Sequence, residues 1–543
     1  MMILGINGGF RPGYQDVSAC LIQDGKVVAA IEEERLSRVK YSAGRLPYLS
    51  VLEVLNIAKI SIKDIDLVAF HGSTWEAEID DRVEAYFQSH FGYSPPVKRY
   101  HHHMCHAAAT FYSSGFDESM ILTMDNSGDG ISLQIAVGRG SSIEVVKRFE
   151  RPNSLGLFYS MVTQFCGFTK DSDEYKLMGL AAYGDKSKYD LSWLIGFDNG
   201  ELTINTTYIN AVAPKAPSLH RDEMIFNDLF SAKIGTEKRI PSAPITQVYK
   251  DIAASAQLYL ENTLLKIAKH YLQETGSKKL CTAGGVALNC LMNQRLMNEL
   301  LIDDLFVQPA STDAGISMGA AWLASVASGK TPMAPDGAFL GNEYSNEEIK
   351  SVLDTCQIRY TEVSDPAELA ARLLAENKVI AWFQGKMEFG PRALGNRSIL
   401  ANPATPNIQS VVNHKIKFRE GFRPFGASVL EEDIFEHFNG KLSSSPYMTV
   451  TYRTKAEKKS LLNGITHADG SCRIQTVNQD QNPLYYQLLK SLKANTGVGV
   501  CLNTSFNLKY EPIVCTPQQA IATFYASGLD ALIIGDYCIS KGE

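Results

Sequence analysis

Residues 101–106 read HHHMCH and place four of the chain's eleven histidines within six positions. His102 and His106 stand four apart, so on a helix they share one face. The HAAATFY stretch, which starts at His106, supports a helix there. Two imidazoles at that spacing can hold one divalent metal ion if further ligands converge on them. Two aspartates are placed to do so. Asp125 ends the apolar run MILTMD, and Asp313 lies in the polar loop STDAG after the run DLFVQP. The same residue types also have an ordinary use, since histidines sit on structural helices and aspartates cap helices and turns. Only convergence in space separates the two readings.

Other stretches have the residues to grip phosphates. AGGVALN puts Gly284 and Gly285 at a strand end, where backbone can approach a nucleotide and a helix N-terminus can face phosphate. Asn289 follows, placed to read a ribose or base, or to cap and pack. Toward the C-terminus, FGPRALGNRSILANP carries Arg392 and Arg397, and HKIKFREGFRPFG carries Lys415, Lys417, Arg419 and Arg423. CRIQTV adds Arg473, and CLNTSFN ends an apolar run with Asn503, Thr504, Ser505 and Asn507. Arginine forks suit oxyanions, and basic residues in loops after strands suggest a phosphate pocket rather than a solvated surface.

Elements must hold these groups in place. MILGIN, VSACLI, the turn QDGK and VVAAIEEE read as a strand followed by a hairpin. MILTMD, NSGDG, ISLQIAVG and IEVVKRF repeat that plan at 120–147. Two hairpin-led halves are what the actin/hexokinase-like ATPase fold looks like in sequence. Helical patterns cover much of 46–60, 157–167 and 246–273. The Pro/Gly-rich stretch near 330–365 reads as a boundary, and a new α/β pattern follows it. The expected division is a domain at 1–340, a linker at 341–365 and a domain at 366–543.

A chain of 543 residues exceeds a single core. Its net charge of −7 argues against an extended nucleic-acid surface. Ten scattered cysteines without a CxxC pair point to reduced thiols. The N-terminus reads as a strand rather than a leader, and no apolar run reaches a membrane span. A cytoplasmic protein without membrane or nucleic-acid partners is expected.

Taken together, EEERLSRVK (32–40), HHMCHA (102–107), DNSGDG (125–130), EYKLMGLAAYG (174–184), GGVALN (284–289), GPRALGNRSILANP (390–403), KFREGFRPFGASVL (417–430) and NTSFN with EPIV (503–507, 511–514) resemble the O-carbamoyltransferases, including the nodulation-type enzymes and those of cephamycin and tobramycin biosynthesis. The resemblance spans nearly the whole chain. It implies an α/β protein with an N-terminal actin/hexokinase-like (Kae1-like) domain and a C-terminal YrdC-like domain. The second domain would make carbamoyl-adenylate and pyrophosphate from ATP, with Mg, and carbamoyl phosphate. The first would receive the adenylate and pass the carbamoyl group to a hydroxyl of a small acceptor, releasing AMP.

The resemblance also assigns roles. His102, His106, Asp125 and Asp313 would hold an iron-type metal, Fe(II) with Mn or Zn as alternatives. Asn126, Gly128, Lys176, Gly284, Gly285 and Asn289 would face the adenylate, with Lys40 and Lys176 neutralising phosphate. Arg392, Lys417, Arg423, Arg473, Asn503 and Ser505 would bind ATP and carbamoyl phosphate. Departures occur where the family's HDxSA motif reads YQDVSA. Gln15 replaces the histidine, and an amide accepts no proton at neutral pH, which leaves either Asp16 for that role or an acceptor that is positioned differently. Tyr41 and Tyr510 stand where His and Gly are usual. Competing readings are an actin-like-fold kinase or ATPase, which would yield ADP, and a catalytically degenerate nucleotide-binding protein.

Overall fold

The computed structural model describes residues 1–11, 16–210 and 223–541. The chain forms two compact units. The first comprises Met1–Val27, Ala43–Pro47 and Ile60–Ala334. The chain's opening strands are β1 (Met2–Asn7), β2 (Ser18–Gln23), β3 (Lys26–Glu32, counted with the second unit from Val28 on), β4 (Leu67–His71) and β5 (Val97–Tyr100), in the order β3-β2-β1-β4-β5. β1 runs antiparallel to β2 and parallel to β4, which is parallel to β5. The chain continues through β6 (Glu118–Gly128), β7 (Ile131–Arg139), β8 (Ser142–Glu150), the small hairpin β9 (Ile195–Asp198) and β10 (Glu201–Ile204), then β11 (Lys279–Ala283) and β12 (Asp304–Val307). Five of these form a second sheet in the order β12-β11-β6-β7-β8. β6 is antiparallel to β7 and parallel to β11.

The two sheets share one plan: an antiparallel meander, then two parallel strands added beside its first strand. This duplication is the layout of the actin/hexokinase-like ATPase fold, and it realises the repeat seen in the sequence. β1 and β6 are central and buried along most of their length. That burial is why they read as continuous apolar runs rather than alternating ones. The expected helices form at Tyr48–Ala58, Leu155–Phe165 and Gln247–Thr275.

The second unit comprises Val28–Ser42, Tyr48–Lys59 and Pro335–Glu543. Its strands are β13 (Thr361–Glu362), β14 (Ile380–Phe383), β15 (Arg397–Ala401), β16 (Gly426–Leu430), β17 (Phe438–Asn439), β18 (Thr451–Thr454), β19 (Ser471–Val477), β20 (Val500–Ser505), β21 (Ala531–Ile534) and β22 (Tyr537–Ser540). They form one mixed ten-stranded sheet, β13-β22-β21-β14-β15-β20-β16-β19-β18-β17. Helices Pro366–Ala375 and Pro483–Thr496 each start on a capping side chain, Asp365 and Asn482, with proline at the first turn. Their apolar faces meet around Leu374, Trp382, Leu488 and Leu492, all 2% exposed or less. Each such side chain contributes roughly 1.5–3 kcal/mol of transfer free energy.

Two features depart from a reading by chain continuity. The EEERLSRVK motif belongs to the second unit. There Arg35 is buried, donating to Glu32 Oε1 at 3.2 Å, Glu34 Oε1 at 2.7 Å and the Gly390 carbonyl at 2.7 Å. Gly390 N–H donates back to Glu32 at 2.8 Å, and Arg38 donates to the carbonyls of Ile513 and Pro512 at 2.7 and 2.9 Å. The stretch 341–365 holds a helix, Asn346–Thr355, started by a capping box between Ser345 and Glu348, and the edge strand β13. Its Pro/Gly-rich lead-in at 328–345 hides that signature.

Candidate functional site

The histidine run begins helix His102–Ser114, whose N-cap His101 accepts from His103 N–H at 3.2 Å. Asp129 Oδ2 accepts the His102 backbone N–H at 3.0 Å and so satisfies another free donor of the first turn. The spacing then does what it implies: both His102 and His106 turn inward and are fully buried. Asp125 reaches them because the β6–β7 register breaks between Met124 and Gly128. A bulge of this kind re-aims side chains. Asp313 arrives on the short helical turn after β12, capped by Thr312.

The four side chains converge. His106 Nε2 lies 3.2 Å from Asp125 and 3.5 Å from Asp313, and His102 Nε2 lies 3.5 and 3.6 Å from them. One ligand atom from each falls within 4.8 Å of all the others. Burial works against a charged His106, yet its bonds to the two carboxylates outweigh it and lift its pKa to about 9. Burial would raise Asp125, but His102 and His106 hold it well below the usual carboxylate range. The arrangement therefore favours net positive charge between two carboxylates. Two imidazole nitrogens and two carboxylate oxygens are a donor set suited to a divalent transition metal, so the residues fit the ion that the sequence resemblance implies.

The neighbouring residues serve this cluster in different ways. A Cβ on Gly128 would sit 2.0 Å from the His102 ring, so only glycine admits that ring. Gly284, at φ +89°, lies against the Met124 carbonyl, 2.1 Å from where a Cβ would stand, which excludes a side chain there. Gly285 faces Asp125 Oδ1. Asn126 donates to Asp171 at 2.9 Å. Lys176 pairs with Asp173 at 2.9 Å. Asn289 caps the helix Cys290–Glu299 and exchanges two 2.9 Å bonds with Gln257, so its amide is used within the fold. The Asp16 carbonyl accepts from Asn7 at 2.9 Å, and Gln15 lies outside the described residues. Sequence reasoning missed His71, packed against His102, and the pair Asp171 and Glu174. A lone histidine after a buried strand carries no local pattern.

In the second unit, Lys417 is 3% exposed. Its Nζ donates to Asn507 Oδ1 at 2.7 Å, the Asn507 carbonyl at 3.1 Å and Ser505 Oγ at 3.3 Å. Burial, then Arg419, Arg423 and Lys40, push its pKa well below the usual lysine range, and Glu511 only partly offsets them. Four basic side chains thus gather near Glu511 and Glu420, an arrangement that would welcome an anion. Lys40 thus stands near Lys417 rather than in the first unit. Arg423 pairs with Glu420 at 3.7 Å.

Register places Gly426 opposite both Asn503 and Arg473, at the same end of the sheet as Ser505. Asn503 is fully buried and donates to Ser428 and Gln475, so it is structural. Arg473 is half-buried, and its Nε has no hydrogen-bond partner among the described residues. Arg392 is half-buried on the loop before β15. Another grouping, Asp433, Glu436 and His437, has its carboxylates taken by Lys493 and Lys458.

Residues 87–322 match the model of the carbamoyltransferase N-terminus, and residues 371–541 that of the carbamoyltransferase C-terminus. Nodulation protein NolNO of Sinorhizobium fredii is 36% identical, over all of this chain and 83% of its own length. An uncharacterized Synechocystis protein, sll1178, is 36% identical over 98% and 96% of the two chains. The 3'-hydroxymethylcephem-O-carbamoyltransferase of Amycolatopsis lactamdurans is 26% identical over 98% and 99%. The chain belongs to the O-carbamoyltransferase family. It is accordingly an enzyme of the transferase class. No described helix is long and apolar enough to cross a membrane.

Proposed function

We propose that the protein is an ATP-dependent O-carbamoyltransferase that works through carbamoyl-adenylate. In the second unit, water would cleave carbamoyl phosphate to phosphate and carbamate. A carbamate oxygen would then attack the α-phosphorus of ATP and displace pyrophosphate. In the first unit, an acceptor hydroxyl would attack the carbamoyl carbon, and AMP would leave. The observation that carries this reading is the buried Lys417, with Ser505 and Asn507 on its Nζ and Arg419, Arg423 and Lys40 close enough to depress its pKa. The triphosphate and carbamoyl phosphate would meet these basic groups, gripped by Lys417, Arg423 and Ser505, with Arg392 and Arg473 beside them.

His102, His106, Asp125 and Asp313 would hold an Fe(II), Mn(II) or Zn(II) ion. When bound, such an ion polarises an oxygen of the carbamoyl or phosphate group. The chain's own part there is to fix the four ligands and exclude water around them, which protects a labile mixed anhydride. Gln15 cannot take the acceptor's proton, so the role falls to the Asp16 carboxylate. The test uses metal-loaded protein with ATP and carbamoyl phosphate and no acceptor. Pyrophosphate release that requires carbamoyl phosphate is the expected result. ADP without pyrophosphate would move the protein to the kinases, and no turnover at all would make it a binding protein.

A further inference from the structure

We propose that His71 is a positioning residue that fixes the ring of the metal ligand His102, an inference that rests on the metal reading above. His71 ends β4 and is 1% exposed. Its ring packs edge-on against Trp75 at 4.8 Å and against His102 at 5.3 Å and 74°. The Nδ1 atoms of His71 and His102 lie 3.5 Å apart, so only one of them carries the shared proton. His102 turns Nε2 toward Asp125 and Asp313. A metal taken there needs the Nε2 lone pair, which leaves the proton on Nδ1, the atom aimed at His71. His71 then accepts through Nδ1 and keeps its own proton on Nε2.

The two ligands are therefore unequal. His106 Nδ1 is buried with no hydrogen-bond partner among the described residues. His102 is held at the ring by His71 and at its backbone N–H by Asp129, which also accepts from Thr74 at 3.0 Å. The segment 71–74 thus meets His102 directly through His71 and indirectly through the Thr74 bond to Asp129. Such outer partners fix the tautomer and orientation of metal-binding histidines.

The test titrates metal-free protein with cobalt(II) and follows its visible absorption. His71→Phe is expected to lose about 10–100-fold in cobalt affinity and to alter the absorption bands, with circular dichroism unchanged. His71→Gln, which keeps a hydrogen-bond acceptor, is expected to recover most of the affinity. If the wild type takes up no cobalt, or Asp125→Ala takes up as much as the wild type, the metal reading fails and this inference with it. If uptake needs Asp125 and His71→Phe binds like the wild type, the His71 assignment alone is overturned. A measurement without substitution covers a variant that does not fold. In the zinc-loaded wild type, histidine nitrogen-15 shifts should show the Nε2–H tautomer at His71 and Nδ1–H at His102, and the opposite pair overturns the assignment.

Discussion

The two charged clusters are built in opposite senses. The His102 cluster sets two carboxylates against two imidazoles and draws positive charge inward. The Lys417 cluster gathers Arg419, Arg423 and Lys40 around one buried lysine and draws negative charge inward. The first is assembled from a helix start, a bulged strand and a helical turn within the first unit. The second takes Lys40 from a segment far upstream in the chain. The two clusters thus offer separate environments, one suited to a cation and one to an anion, which a single pocket could satisfy only at mutual electrostatic cost.

That contrast can be broken from either side. The largest effect is expected from Asp125→Ala. Metal content measured by plasma emission should fall to background, and carbamoyl transfer by about a hundredfold or more, equivalent to several kcal/mol of lost charge stabilisation. Pyrophosphate release without acceptor should persist. Lys417→Met should show the reverse pattern, with pyrophosphate release down on the order of a hundredfold and metal content intact. Equal loss of both activities in either variant would collapse the distinction between the sites.

Arg35→Met tests whether the upstream segment truly belongs to the second unit. It leaves Glu32 buried without its cation, at a cost of about 3–5 kcal/mol. Scanning calorimetry should show the loss in one transition only, and two equally lowered transitions would contradict it. The smallest effect concerns Glu174. Burial and then the Asp171 carboxylate raise its pKa to about 7, against the bond from Ser160. Its folded pKa lies above the unfolded value, so folding takes up a proton between them. That contribution is full below the unfolded pKa and is lost as pH rises through about 7. Glu174→Gln should therefore reduce the difference in urea stability between pH 5 and pH 8.

The convergence of His102, His106, Asp125 and Asp313 was legible because its members carry local signals: an i, i+4 pair, an aspartate in an apolar strand, and an aspartate in the polar loop after another. The duplicated half-fold was legible for the same reason, since strand, turn and hairpin are short-range patterns. Asn289 and Asn503 were less so. An amide beside a glycine turn or at a strand end looks the same whether it meets a ligand or, as here, Gln257 or Ser428. The place of residues 28–42 in the second unit had no signal at all, because a contact such as Arg38 to Pro512 leaves no trace in either neighbourhood.

That contact spans 474 residues. A ribosome adding 5–20 residues per second needs roughly 25–95 s to make the distance good. Until then the helix Tyr48–Ala58 emerges without the unit that buries Val51, Val54 and Leu55. The second unit therefore cannot finish folding until the stretch around Pro512 has been made. Its earliest-made piece is meanwhile a natural client for chaperones that shield apolar surface during synthesis.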